Sequence, residues 1–251
     1  MSFCLAIQEN KREGQKLCLK TPATLSTKRF VLSTLAGIFM LSHSAIAQGT
    51  YRAGVLPSVN FNYKLANQWS VNFKVESRQL FKTGTFEAEY NTNYRYVLTD
   101  YSLLAAKKIG LNSRLSGGYL LRYRDNEIIH RFIQQYTTVQ RLTGYRLAHR
   151  LAMDQTFQSN EPIEFRLRYR LTGEFPLNGE SADPREFYVK VNSEYLNALE
   201  DATYDLEVRL VPLLGYTFTP RHKLEIGLDY RINNFVTGSG SHSFWTSINW
   251  Y

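Results

Sequence analysis

Cysteine is almost missing. The 251-residue chain has two, Cys4 and Cys18, and both precede a segment with the form of an export signal, so the part that follows has no thiol. Disulfides, thiolate metal sites, cysteine nucleophiles and a lipid-anchored cysteine after the signal are excluded together. Histidines after the signal are His130, His149, His222 and His242, and none stands at a metal-binding spacing. No Walker loop, dinucleotide fingerprint or zinc-protease motif occurs, so neither a metal nor a cofactor is expected. The longest uncharged apolar run, residues 30–41 (FVLSTLAGIFML), falls short of the roughly 20 residues that a helix needs to cross hydrocarbon. A sustained 3.6-residue period is missing too, which argues against any long helix.

That apolar run has a different use. Lys28 and Arg29 flank it, and it leads to Ala45-Ile46-Ala47 before Gln48, the charged, apolar and small-residue order of a secretory signal. Residues 1–47 are expected to be a signal peptide and residues 48–251 one exported domain. Residues 1–27 are long and polar for such a signal, as a start codon set too far upstream would leave them. Cleavage after Ala47 removes six of the Lys and Arg residues and two Glu, so the formal net charge falls from +8 for the whole chain to +4. With so weak a basic balance and an exported location, nucleic acid is not expected as a partner.

What is abundant is Tyr (17) and Phe (15) beside only three Trp, a balance that favours strands. From Tyr51 onward apolar and polar residues alternate with a period of two. Ala88, Tyr90, Tyr94, Tyr96 and Leu98 take one side of their segment, with Glu87, Glu89, Asn91, Asn93 and Arg95 on the other. Trp69, Val71, Phe73 and Val75 oppose Lys74, Glu76 and Arg78. Phe165, Leu167 and Tyr169 oppose Glu164, Arg166, Arg168 and Arg170, and Leu206, Val208 and Leu210 oppose Glu207 and Arg209. Each such strand has one dry face and one wet face.

Turn signals separate about eleven such segments, and they tend to alternate between tight and looser. Tight ones lie near Ala66-Asn67, Thr143-Gly144 and Thr219 to His222, looser ones at Arg124 to Glu127, Ser159 to Pro162 and Asn197 to Thr203, and one long connection runs from Pro176 to Arg185. Segments of roughly 10 to 15 residues exceed the 5 or 6 usual in soluble proteins. Bacterial transmembrane barrels have an even strand number. The reading is therefore an all-β, closed antiparallel transmembrane barrel of about 12 strands, with ten as the alternative. The twelfth strand would come from the stretch before Pro57 or from a break near Thr99-Asp100. Closure follows from the lack of hydrogen-bonding partners in lipid, which forbids a free sheet edge. The apolar set then faces hydrocarbon and the charged set the lumen. In the last segment Phe244, Ile248 and Trp250 share one face while Trp245 falls on the polar one, and the chain ends at Tyr251, an aromatic end resembling the assembly signal of outer-membrane barrels. Tyr51, Tyr101, Tyr136 and Tyr188 are candidates for interfacial girdles.

Several stretches, taken in order, resemble a bacterial outer-membrane family known as domain of unknown function 2490. They are Trp69 to Arg78, Leu98-Thr99-Asp100-Tyr101, Gly117-Gly118-Tyr119, His149-Arg150 followed by Asp154 to Phe157, FRLRYRL at 165–171, Pro176 to Gly179, Glu194-Tyr195 and Pro212 to Tyr216. The resemblance implies a Gram-negative outer-membrane barrel and carries no activity with it.

The inward charges are the chemistry on offer, since a charge inside a narrow barrel must be solvated or paired. Arg166, Arg168 and Arg170 form a ladder on one segment, with Arg146, Arg150 and Asp154 on the preceding one. Glu76, Arg78, Glu87, Glu89 and Arg95 mix both signs across the wall, joined by Glu164, Glu207 and Arg209. One reading is a water-filled passage with an arginine-rich constriction for small anionic solutes; the other is a salt-bridged plug that holds the barrel in shape. The expected partners are the outer-membrane bilayer and, during insertion, the barrel assembly machinery. A soluble exported ligand-binding barrel is the alternative, because an apolar face can equally line a core. An outer-membrane lipid-modifying enzyme is the third reading, with His242 beside Ser241 and Ser243 as its local candidate, although the chain as a whole is read as a non-enzyme.

Overall fold

In a computed structural model, described for residues 49–86, 90–201, 203–234 and 240–251, the described residues form a closed barrel of eleven strands. The signal-like segment and the Glu87 and Glu89 positions lie outside the described residues. In chain order the strands are β1 (Thr50–Lys64), β2 (Trp69–Thr85), β3 (Tyr90–Lys108), β4 (Ser113–Arg124), β5 (Glu127–Leu142), β6 (Tyr145–Phe157), β7 (Glu164–Pro176), β8 (Phe187–Glu200), β9 (Thr203–Thr217), β10 (Lys223–Asn233) and β11 (Ser241–Trp250). Each pairs antiparallel with the next in sequence, and β1 closes the sheet against β11.

The strand count corrects the expectation of twelve or ten. The stretch before Pro57 is the first half of β1, and Thr99-Asp100 lies inside the 19-residue β3 with no break. In an up-and-down meander of odd number the first and last strands run the same way, so the closing pair must be parallel. β1 and β11 are parallel over ten residue pairs, from Thr50↔Ser241 to Val59↔Trp250. An odd meander also leaves its first and last residues at opposite rims, here called the N-terminal and C-terminal rims.

The connections do not alternate between tight and loose. Arg124 to Glu127 is a two-residue hairpin whose Asp125 and Asn126 both have positive φ, the geometry that matches the twist of paired strands and that Asp and Asn tolerate best. Only residues 201 and 202 separate β8 from β9.

Alternation fixes which side of the wall each residue takes. Phe165, Leu167 and Tyr169 are 50%, 48% and 38% exposed on the outer surface, while the intervening Arg166 and Arg168 side chains are 10% and 17% exposed within. In β3 the phase changes. Its register with β2 passes from Arg78↔Leu98 to Gln79↔Tyr96, so two residues of β3 oppose one of β2 at Val97, the signature of a bulge. Leu98 is therefore buried, against the expectation that it shares a face with the exposed Tyr94 and Tyr96. Val97 packs on an internal apolar cluster of Leu56, Leu80 and Trp245.

Tyr188 is likewise not a girdle residue. It is wholly buried, its ring occupies the space where a Cβ on Gly215 would stand, and its hydroxyl donates to Glu225 at 2.8 Å. A side chain at position 215 would evict that ring, which explains a glycine near the end of β9.

Candidate functional site: the lumen

The inward faces enclose a cavity of about 850 Å³ that runs from the β3–β4 connection at the C-terminal rim toward Arg52 near the N-terminal rim. Of the residues that line it, sixteen are Arg or Lys and six are Asp or Glu. The two most deeply buried carboxylates lie behind that lining, and each is held by three arginines.

Asp154 on β6 has no exposed surface. It accepts from Arg166 on β7 at 2.7 and 2.5 Å and from Arg168 at 2.5 Å, with Arg131 of β5 at 3.4 Å. Arg166 reaches Asp154 because β6 and β7 pair in the register Asp154↔Arg166. Glu194 on β8 is bound by Arg170 at 2.6 Å, Arg209 at 3.0 Å and Arg150 at 3.3 Å, from three different strands. Isolated charges in such burial are prohibitively costly, whereas multiply hydrogen-bonded ion clusters are tolerated. These two knots therefore tie β5 through β9 together from inside.

Smaller pairs complete the lining. Arg122 clamps Asp100 with two bonds of 2.7 Å, Arg231 clamps Asp229 at 2.7 and 2.8 Å, and Glu76 lies between Lys74 at 2.6 Å and Arg78 at 3.4 Å. Arg146 meets Glu174 at 2.5 Å, Glu164 stands 3.6 Å from Arg166, and Glu207 pairs with Arg209. At the C-terminal rim Glu225 collects the Tyr188 hydroxyl, the Lys190 ammonium at 2.8 Å and the Tyr251 hydroxyl at 3.2 Å. The last residue of the chain is thus anchored inward, whereas Trp250 beside it is outward.

The proposed ladder is not one unit. Arg166 and Arg168 are both bound to Asp154, while Arg170 belongs to the Glu194 knot. Arg95 stands opposite Leu80 near the N-terminal rim and borders a small recess with Arg52 and Thr83, separate from the main cavity. Glu76, Arg78, Arg146, Arg150, Asp154, Arg166, Arg168, Arg170, Glu207 and Arg209 are brought to the lumen wall. Sequence reasoning missed Asp100, Arg122, Arg131, Glu174, Lys190 and Glu194 as members. Their phase within each strand was a usable signal for Arg122 and Arg131, but Asp100 lies beyond the bulge of β3, where the phase changes, and Glu194 sits among Asn, Ser and Ala and offers no clear alternation.

The Ser–His arrangement does not assemble. Ser243 faces the lumen, while His242, next along the strand, faces outward and is bonded to the Tyr230 hydroxyl at 2.9 Å with the Phe86 ring edge-on to it. Neighbours on a strand point to opposite sides. His149, also outward, is satisfied by the Tyr169 hydroxyl at 2.8 Å. Among the described residues no cluster of His, Cys, Asp or Glu is arranged to hold a metal ion.

No curated protein and no solved structure matches the chain. A family model does match, over residues 53–242, which takes in all of β2 to β10 and most of β1. An eleven-strand barrel with a cationic interior is thus the form taken by a chain that belongs to the family described as protein of unknown function DUF2490.

Proposed function

We propose that the protein is an outer-membrane β-barrel whose lumen admits small anionic solutes. The observation that carries the membrane part is the inside-out distribution of polarity: Phe165, Leu167 and Tyr169 are exposed, while Arg166 and Asp154 are buried. A soluble ligand-binding barrel would place the first set within. Surfaces in water rarely present contiguous apolar patches beyond a few hundred square ångströms, and here outward Phe, Tyr, Leu and Ile residues recur on every strand. Hydrocarbon also accounts for closure, since a sheet with no edge leaves no backbone group unpaired in lipid. The charged, apolar and small-residue order of residues 28–47 supports export, and the outward aromatic and apolar residues of β11, Phe244, Ile248 and Trp250, suit insertion into a bilayer by the barrel assembly machinery.

The excess of cations over carboxylates along the cavity supports the solute part, because a cationic lumen with low-dielectric walls concentrates anions. No catalytic residue is assigned, and the lumen needs no cofactor for this role. Recovery of the protein in detergent extracts of outer membrane, with a folded band that shifts on heating in gels, is the expected result; recovery as a soluble periplasmic monomer refutes it. Planar-bilayer currents with a chloride-favouring reversal potential are expected from the purified protein. A silent bilayer would leave the structural reading, in which the ion knots only hold the barrel in shape.

A further inference from the structure

The strand registers align cations that lie far apart in sequence. Starting at the C-terminal rim, Lys108, the last residue of β3, stands opposite Arg114. Arg114 is opposite Thr137, Thr137 is opposite Arg150, and Arg150 is opposite Arg170. Arg170 is opposite Glu194, which is opposite Arg209, and Arg209 is opposite Arg231. Ser243 then links Arg231 to Arg52, the third residue of β1, at the N-terminal rim. All seven cations line the cavity. The row runs across the strands, and because strands in a barrel are tilted, such a row climbs along the barrel axis. It is a spiral from rim to rim with seven cations and one carboxylate.

Three times along this row two cations face each other directly, at a strand spacing of about 4.8 Å, an arrangement that destabilises a sheet unless something neutralises it. Arg209 and Arg231 have Glu207 and Asp229, and Arg150 and Arg170 have Glu194. Lys108 and Arg114 have none. Among the described residues no carboxylate lies within ion-pair distance of either, and their only polar neighbour in the row is Thr137. Both side chains are exposed at the mouth of the cavity, so water solvates them and the pair stands open to a diffusible anion that can supply the missing counter-charge.

We infer that the Lys108–Arg114 pair, with Thr137, is a receiving site for phosphate-type oxyanions at the C-terminal rim, and that the row passes such ions from pair to pair toward Arg52. The inference deepens the proposed passage and rests on it for direction of travel, but binding at the pair stands independently. Tetrahedral oxyanions are favoured over chloride because several terminal oxygens can accept from a guanidinium fork, an ammonium and a hydroxyl at once.

Inorganic pyrophosphate titrated into the full-length protein in a phosphate-free nonionic detergent tests it. Arg114→Gln is expected to weaken binding about tenfold or more, the usual scale for a lost charge-assisted contact. Arg141→Gln, which removes an equal charge from the same rim but off the row, is expected to change it less than about twofold. Lys108→Gln, at an exposed position that is not needed for folding, should follow Arg114→Gln. Equal losses in Arg114→Gln and Arg141→Gln, or pyrophosphate binding no tighter than chloride, overturn the inference. Competition from vesicles containing phosphatidic acid would assign the pair to lipid headgroups and overturn the solute part. A silent bilayer with the binding pattern intact refutes passage alone, whereas conduction without that pattern refutes the row alone.

Discussion

Replacing Asp154 by Asn tests whether the internal ion knots hold the barrel together. The change is nearly isosteric and removes one negative charge from between Arg131, Arg166 and Arg168. The Asn carbonyl still accepts a hydrogen bond, so what is lost is the charge that makes three buried guanidinium groups tolerable. The nearest other carboxylate to the cluster is Glu164, 3.6 Å from Arg166, and it already serves that arginine. Breaking a buried ion pair from one side costs about 3–5 kcal/mol, and about 3 kcal/mol corresponds to a shift of over a hundredfold in the folded-to-unfolded ratio. Asp125→Asn is the matched control. Asp125 is 85% exposed and 3.9 Å from Arg124, so its loss is expected to cost less than about 1 kcal/mol. Urea titration of both variants in the same detergent, followed by the heat-modifiable band and by circular dichroism, gives the comparison. An Asp154→Asn barrel no less stable than Asp125→Asn would show that the arginines are solvated by lumen water and that the knot contributes nothing to stability.

Three further outcomes follow from the geometry. Leu167→Arg places a cation on the outer surface of β7, three residues in from its start at Glu164; insertion into lipid is expected to be disfavoured, by up to about 2–4 kcal/mol at the depth of the bilayer midplane and less nearer an interface, read as a lower folded yield in vesicles, with little effect predicted if that face met water. Gly215→Ala drives a methyl into the Tyr188 ring and should destabilise by about 1–3 kcal/mol; Gly215→Ala in a Tyr188→Ala background should cost distinctly less, and equal costs in the two backgrounds would refute the close packing. Trp245→Ala empties the cluster of Leu56, Leu80 and Val97 inside the wall, with an expected loss of about 3–5 kcal/mol and a larger single-channel current, whereas an unchanged current would place the narrowest point elsewhere.

Legibility differed from element to element. In β7 the run from Glu164 to Leu171 alternates so strictly that the facing of every residue follows from one face being apolar, and the structure places them that way. In β3 the same logic fails beyond Val97, because a bulge is a matter of register between two strands and leaves no mark in the alternation of one. The count of eleven was present in the number of segments and was lost by imposing an even number. The grouping of charges was not legible at all. Arg166, Arg168 and Arg170 look like one ladder in sequence, yet they divide between Asp154 and Glu194 on opposite neighbouring strands.

By itself the sequence determined the local quantities: strand type and, within unbulged runs such as β7, which side of the wall each side chain takes, because a two-residue period is a property of one backbone. Only the closed sheet decided that β1 meets β11 in parallel and that Lys108, Arg114, Arg150, Arg170, Arg209, Arg231 and Arg52 share one spiral row. Those facts depend on hydrogen-bond register between strands up to 191 residues apart (Thr50↔Ser241), which is set by how the whole barrel closes and is written in no single segment.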